Sequence, residues 1–401
     1  MMSKWEMVRL EDVCTVAAGQ GAPQNAKDYS DEGIPFIRAG HLSDLISGTL
    51  LENDIPKINE TVAKTHKLKL YPKGTILFAK SGMSCTKGYI YRLRRDSYVV
   101  NHLACLIPKA VDSDFLAYAL LRYPPNCLIK DESYPSISLT DISAFSVPLP
   151  PLPVQNKIVD ILDHVALLIK TRKAQIEKMD LLVKSRFVEM FGDPVMNPMG
   201  WDEHTINDIC STIVDCPHST PKYTHENTGF MCIRTTIIKP DFIDWERIEY
   251  ISEEQYVERT KRYIPKQNDI VYSREGAILG IASIINNIGK VALGQRLMLL
   301  SANPEICNFK FLCYLMNSPC VINQVKYRIS GSASPHINVA DVKNFTIPLP
   351  SLDLQHQFAD FAYSVEKSKI TIQRGLKKTE LLYKSLMQKC FNGEIPKVQE
   401  A

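Results

Sequence analysis

Two stretches 200 positions apart restrict this chain more than anything else in it. Val147-Pro-Leu-Pro-Pro-Leu-Pro-Val-Gln155 opens onto a long apolar-periodic run ending near Phe191, and Ile347-Pro-Leu-Pro-Ser-Leu-Asp-Leu-Gln355 opens onto another ending near Phe391. Aligned without a gap, Ile137–Gln155 and Ile337–Gln355 share Ile137, Asp141, Phe145, Pro148, Leu149, Pro150, Leu152 and Gln155, 8 of 19 positions. A repeat at that separation makes the chain two copies of one plan.

From Val154 to Phe191 the apolar side chains fall at Ile158, Ile161, Leu162, Val165, Leu168, Ile169, Ile176, Met179, Leu182, Val183, Phe187 and Met190. Gaps of three and four with no Gly predict one helix. Its 38 residues span about 57 Å at 1.5 Å each. Gly192-Asp193-Pro194 stops it. So long a helix with so narrow an apolar stripe needs a partner along its length. Leu354–Phe391 has the same length and register, so an antiparallel pair is expected. The helix-pair or subunit interface is expected at Ile158, Leu162, Val165, Ile176, Met179 and Val183 of the first helix, and at Phe358, Val365, Ile372, Leu382 and Leu386 of the second. The prolines at 148, 150, 151 and 153 predict a stiff, extended hinge ahead of the first helix.

The remaining sequence also repeats. Trp201, Asp208 and Cys210 answer Trp5, Asp12 and Cys14, and Gly229–Arg234 answers Gly33–Arg38, all at an offset of 196. Asp269–Gly276 answers Thr75–Gly82 at 194, and Phe311–Tyr314 answers Phe115–Tyr118 at 196. Short strands are expected at Ile34–Arg38, Gly74–Ala79, Tyr89–Leu93 and Ala104–Ile107, and a helix over Asp114–Arg122. The predicted fold is α/β: two similar globular units separated by two long helices in an antiparallel coiled coil, an internal pseudo-two-fold. Expected boundaries are 1–146 and 194–346 for the globular units, 147–193 and 347–393 for each hinge with its helix, and 394–401 for a tail.

Catalytic patterns are missing. There is no G-x-x-x-x-G-K-[ST] phosphate loop. Tyr123-Pro-Pro-Asn126 has the letters of an amino-methyltransferase motif in the wrong order, and Pro240-Asp241 before Glu246-Arg-Ile lacks the lysine of a metal-dependent nuclease. Cys210, Cys216, His218 and His225 match no zinc spacing. No catalytic or metal-ligating residue is assigned.

What recurs is a basic or amide residue at a strand end beside a turn. Arg38 and Arg234 form one such pair; Lys80 and Ser81, with Lys87 nearby, answer Ser273 and Arg274; Asn101 and His102 answer Gln295 and Arg296. Arg and Lys suit guanine and Asn and Gln suit adenine, while hydroxyls and backbone N–H groups hold phosphates. Different side chains at equivalent places fit two units reading different bases. The loops Lys130–Ser136 and Lys326–His336 precede the two hinges and add Tyr134, Arg328, Ser332 and His336 as candidate DNA contacts. The bland alternative is that strand-end Arg and Lys are solvated surface. Of the total charge of +3, the runs Val154–Phe191 and Leu354–Phe391 carry +2 and +4, which leaves the rest at −3. Nucleic-acid affinity must therefore rest on local patches, on the helices or on a partner. The 11 cysteines include no C-x-x-C pair, and neither a leader pattern nor an 18-residue apolar run is present. A soluble protein of the reducing cytoplasm is expected.

Taken together, the two P-L-P-x-L-x-x-Q hinges with their helices, Arg186-Phe-Val-Glu-Met-Phe-Gly-Asp-Pro194 before Asn197-Pro-x-Gly-Trp201, Asp215-Cys-Pro-His-Ser-Thr-Pro221, Leu293-Gly-Gln-Arg296 and Gly331-Ser-Ala-Ser-Pro-His-Ile-Asn338 resemble the specificity subunit of type I restriction–modification systems. The first copy departs from this at Tyr134-Pro-Ser-Ile-Ser138. The resemblance covers essentially the whole chain. It implies two target recognition domains, each reading half of a split, asymmetric site in double-stranded DNA, and paired helices that set the separation and dock two modification (methyltransferase) subunits. It further implies that restriction subunits join the complex. S-adenosylmethionine, ATP and Mg²⁺ would belong to those partners and no cofactor to this chain. A self-contained DNA methyltransferase or nuclease would need turnover by the purified chain, and a scaffold without DNA would show no salt-dependent, sequence-selective binding.

Overall fold

The computed structural model describes residues 4–276, 278–287, 289–329 and 335–394. Two compact units emerge: Met1–Lys173 with Arg374–Ala401, and Ala174–Gln373.

In the first unit, Cys14–Ala18, Leu103–Pro108, Ile76–Ala79 and Tyr91–Arg92 form a four-stranded antiparallel sheet in that order. Ile34–Ile37 lies between Lys57–Ile58 (antiparallel) and Tyr98–Val99 (parallel) in a second sheet. Helix Ser113–Arg122 is capped by Asp112, whose Oδ1 accepts from Phe115 N at 2.8 Å, and it buries Phe115, Leu116, Ala119 and Leu120. The core runs on without a break to Ile158 and Leu162 of the first long helix and to Met387, Cys390 and Phe391 of the second.

The second unit repeats this plan. Cys210–Asp215, Leu297–Ala302, Ile270–Ser273 and Ala282–Ile284 make the four-stranded sheet, and Phe230–Ile233 lies between Glu249–Tyr250 and Lys290–Leu293. The register is equivalent: Phe78 opposes Ala104 as Tyr272 opposes Met298. One element differs. After Ile34–Ile37 the first unit has a short helix, Leu42–Ser47, whereas after Phe230–Ile233 the second has a hairpin, Ile238–Lys239 with Phe242–Ile243.

Both long helices run 40 residues, Leu152–Phe191 and Leu352–Phe391. Each contributes one half to each unit, so residues up to Lys173 pack with those from Arg374 onward, and those from Ala174 onward pack with those up to Gln373. The pairing is therefore antiparallel. Burial recurs at Gln155, Ile158, Leu162, Val165, Ile169, Arg172, Ile176, Met179 and Val183, alternating gaps of three and four, the pattern of a coiled-coil seam. Phe187 and Phe191 meet Phe358 with ring centroids 5.3 and 5.7 Å apart, and Lys173 Nζ lies 3.3 Å from Glu380 Oε1. Lys369 pairs with Asp180. Val365 is buried, and Ile372 and Leu386 are half-buried.

The structure narrows two expectations. Leu382 lies outside the helix-pair seam: it is 51% exposed, the seam passes through Thr379 and Tyr383, and residue 382 is rotated about 100° off it. The proline stretch is not wholly outside regular structure. Ser146–Pro148 pairs with Met7–Arg9, Thr346–Pro348 pairs with Glu203–Thr205, and the first helix already includes Pro153. Proline is tolerated in a first turn because its missing N–H would have had no intrahelical partner.

The glutamine ending each repeat anchors a helix. Gln155 Nε2 donates to Pro150 O at 2.7 Å, and its Oε1 accepts from Asp112 N at 2.9 Å. Gln355 Nε2 donates to Pro350 O at 2.9 Å, and its Oε1 accepts from Asn308 N at 2.8 Å. Asp112 and Asn308 are the N-caps of equivalent helices, Ser113–Arg122 and Phe309–Met316. One buried amide thus ties each long helix to the capped helix of its unit. The far ends are matched too: Trp5 Nε1 donates to Cys390 O and Trp201 Nε1 to Phe191 O, both at 3.0 Å. Gly192 and Gly393 follow at φ +77° and +85°, the left-handed region that glycine occupies without a Cβ clash.

Candidate nucleic-acid interface

The strand-end residues of each unit are brought together by one set of backbone hydrogen bonds. In the first unit, Val100 N donates to Ile37 O, Lys80 N to His102 O and Gly82 N to Pro135 O at 2.9 Å each, and Ile137 N donates to Lys80 O at 2.8 Å. Arg38, Asn101, His102, Lys80, Ser81 and the 134–136 loop therefore share one end of the unit. In the second, Gly294 N donates to Ile233 O (2.8 Å), Arg274 N to Arg296 O (3.1 Å), Gly276 N to Pro335 O (2.8 Å) and Ile337 N to Arg274 O (2.9 Å). Bridges Ser81–Ser136 and Glu275–His336 complete the correspondence. The ladder is the same and the side chains differ.

Arg38 is exposed; its Nη2 donates to Tyr29 Oη at 2.9 Å and its guanidinium lies 5.1 Å from that ring centroid. Stacking fixes the plane of the fork without neutralising it. Burial, helped by the Arg38 charge, lowers the pKa of neighbouring His41, whose Nδ1 accepts from Arg38 N at 3.2 Å. Lys80 forms no ion pair among the described residues and lies beside Ser81, whose Oγ is 2.8 Å from His102 Nδ1. Lys87, Asn101 and His102 are exposed, and Tyr134 is 82% exposed.

The second unit is electrostatically different. Arg234 stacks on Tyr223 at 4.5 Å but also pairs with Glu249, whose hydrogen bond raises the arginine pKa. Arg296 is exposed at φ +70°, with Nε 4.0 Å from Glu275 Oε1. Gln295 Oε1 accepts from Thr220 Oγ1 at 2.6 Å. Arg328 Nη1 donates to Gln324 Oε1 at 3.1 Å, with its guanidinium 5.4 Å from the Phe345 ring. His336 is half-buried, and Ser332 lies outside the described residues.

Ser273 and Arg274 are corrections. Ser273 is fully buried, and its Oγ accepts from Ile281 N at 2.9 Å. Arg274 is 6% exposed and bidentate on Asp215, Nε–Oδ1 2.8 Å and Nη2–Oδ2 2.9 Å. They hold the loop and present nothing to a base. The partner strand decides this: Asp215 opposes Met298 where the first unit has Ala18 opposite Ala104, so Lys80 finds no carboxylate there.

Tyr29, Tyr223 and Glu249 belong to these surfaces without being marked in the sequence, and Asp215 and His218 belong to them although the sequence marks them only within the Asp215–Pro221 motif and not as DNA contacts. The two tyrosines had a signal, since each precedes its glycine–strand–arginine segment at nearly the same distance. The carboxylates had none, because their arginines are distant in sequence.

Among the described residues no group of three His, Cys, Asp or Glu could hold a metal ion, and no helix is long and apolar enough to cross a membrane. Residues 2–178 and 198–382 match the family described as the type I restriction modification DNA specificity domain. A specificity subunit of the type I restriction enzyme EcoBI from Escherichia coli is 23% identical over 98% of this chain and 86% of its own length. The MjaVIII specificity subunit from Methanocaldococcus jannaschii is 24% identical over 98% and 93%. The MjaIX subunit from the same organism is 31% identical over 38% of this chain, which spans about a third (35%) of that relative. Among solved structures, a type I restriction–modification S subunit from M. genitalium superposes with TM-score 0.58 at 14% identity, covering 99% of this chain and 97% of that one.

Proposed function

We propose, for a chain that belongs to the type I restriction modification DNA specificity family, that each of its two units reads one half of a split DNA site. The chain is a non-catalytic subunit that recognises DNA sequence-specifically within a restriction–modification complex, and catalysis lies on partner subunits. The division into halves is carried by one observation: a single backbone ladder presents Arg38, Lys80, Ser81, Asn101 and His102 in the first unit and Arg234, Gln295 and Arg296 in the second. Lys87 and Tyr134 flank the first set, and Arg328, Ser332 and His336 flank the second. The first set leaves its cations free, whereas Glu249 and Glu275 stand beside Arg234 and Arg296. Free forks suit guanine, and adjacent carboxylates accept from cytosine or adenine amino groups.

Residues 1–146 and 194–346 are the two reading domains on this view, and the hinge–helix segments 147–193 and 347–393 act as the spacer. Half-sites about one turn of the duplex, ~34–36 Å, apart are the expected target. Leu181 and Leu182 in the second unit and Leu381 and Leu382 in the first are exposed at matching helix positions, 61% and 49% against 61% and 51%. Solvent-facing leucine pairs at equivalent places suit two copies of one partner, the modification subunit, with restriction subunits joining that assembly. S-adenosylmethionine, ATP and Mg²⁺ are assigned to those partners, and the reducing cytoplasm is the proposed compartment.

The test is a map of methylated adenines in DNA treated with the reconstituted complex. Arg38→Ala should relax one half-site and Arg296→Ala the other, each by about 1–3 kcal/mol of discrimination. Loss of both halves together, or of neither, would overturn the division of labour.

A further inference from the structure

In the second unit, helix Glu253–Thr260 packs on strand Lys290–Leu293, which leads into Gln295 and Arg296. Its Arg259 is 8% exposed and donates to backbone carbonyls of two segments distant in sequence. Nε donates to Leu293 O at 2.7 Å, Nη1 to Ser219 O at 3.0 Å and Nη2 to Pro217 O at 3.0 Å, with Ser219 Oγ 3.4 Å from Nη1. No carboxylate lies in ion-pair range of it among the described residues. Burying a cation is costly, and a planar guanidinium offsets that cost by holding several acceptors in fixed directions at once. A point-like ammonium could not span the three.

Both segments carry side chains of the reading surface. The loop 216–221 is fixed at its start, where Cys216 N donates to Leu297 O at 3.2 Å. Further along, Thr220 Oγ1 donates to Gln295 Oε1 at 2.6 Å, and exposed His218 has its Nε2 3.3 Å from Asp215 Oδ2. With its oxygen engaged by Thr220, the Gln295 amide turns its N–H groups outward, and such donors suit the N7 and O6 acceptors of a purine in the major groove. Tyr223, on which Arg234 stacks, follows the same loop, and its Oη lies where a Cβ on Gly294 would come within 2.8 Å.

The first unit fastens the equivalent loop differently. Glu60–Thr65 and Glu253–Thr260 are equivalent helices, each following a strand paired antiparallel to the middle strand of its three-stranded sheet. His66 and Arg259 each stand seven residues past the N-cap, Asn59 or Ser252. His66 Nε2 lies 3.2 Å from Asp28 Oδ2, and Lys67 O accepts from Gln20 Nε2 at 2.9 Å. Those contacts reach the loop; Arg259 reaches the loop and the strand end together.

We propose that Arg259 is a positioning residue for the second half-site. It locks loop 216–221 to the strand end at Leu293, so that Thr220 holds the Gln295 amide toward a purine edge and His218 serves as a further DNA contact. The proposal rests on the reading of half-sites given above.

The test is methylation by the reconstituted complex on DNA libraries randomised in one half-site at a time. Arg259→Met, which keeps volume and removes the fork, is expected to cut the purine preference in the second half-site by about 5- to 150-fold and to leave the first half-site unchanged. Arg259→Lys should restore the charge without restoring that preference. Thr220→Val, at an exposed position, should relax the same base position, and the double variant with Arg259→Met should be no worse than Arg259→Met alone. Should Arg259→Met fail to fold, Arg259→Lys and Thr220→Val carry the test. Lower overall methylation with unchanged base preferences would mark Arg259 as merely structural and overturn the proposal. So would losses from Arg259→Met and Thr220→Val that multiply, or relaxation that includes the first half-site. A wild-type complex with no base preference in either half would instead overturn the reading of half-sites itself.

Discussion

Replacing Gln155 by leucine tests whether the repeated glutamine joins helix to domain. The amide is 1% exposed and makes two hydrogen bonds, to Pro150 O at 2.7 Å and from Asp112 N at 2.9 Å. Leucine fills similar volume but strands a buried carbonyl and a buried N–H, each worth about 1–3 kcal/mol when unpaired. Burying the extra methyl surface returns about 1 kcal/mol. A net loss of about 2–4 kcal/mol is expected in urea unfolding. It should appear in the first unit, which Trp5 reports once Trp201 and Trp245 of the second are replaced by phenylalanine. Gln355→Leu should do the same to the second unit, where the equivalent bonds measure 2.9 and 2.8 Å. Gln155→Glu supplies a control: a carboxylate repels Pro150 O at neutral pH, whereas the protonated acid donates to it and still accepts from Asp112. Its loss should therefore shrink in acid. A Gln155→Leu change within about 0.5 kcal/mol of wild type would refute the reasoning, because that is the range of an ordinary surface substitution.

Asp215→Ala leaves Arg274 buried without its carboxylate; about 3–5 kcal/mol of destabilisation by urea melt is expected, with Arg274→Met on the same background recovering part of it. Burial raises the Asp241 pKa above its ordinary 3.8, with nearby Lys310 opposing. The folded state then holds the proton more tightly than the unfolded one, so this group costs stability as pH rises from about 3.8 through its folded value. Asp241→Asn should accordingly raise the melting temperature at pH 7, and the gain should vanish in acid. Adding one turn, about four residues, to both long helices should lengthen the methylated spacer by about 1–2 base pairs and leave the half-sites intact.

The repeat, the two long helices and their antiparallel pairing were legible in the chain because helical burial has a short period. Ile158, Leu162 and Val165 announce the seam within two turns, and their burial follows. Whether Leu382 belongs to the seam was not legible, because the adjacent pair Leu381-Leu382 is apolar in letters, while only the position of the other helix decides which side is covered. The glutamines were visible as repeated letters, but their role waited on Asp112 and Asn308, 43 and 47 positions away.

The reading surface divides the same way. Sequence alone determined which strand ends carry Arg, Lys, Asn and Gln, since a strand followed by a turn is a local event. Tertiary structure decided which of them are free. Arg38 and Arg234 look alike as letters, yet one rests on Tyr29 and the other is also paired with Glu249; Arg274 disappears onto Asp215, 59 positions away, while the first unit has Ala18 in the place of Asp215 and Lys80 forms no ion pair among the described residues. A strand's own residues fix its position and its exits. The charge left at an exit depends on what the neighbouring strand brings beside it, and that pairing is long-range.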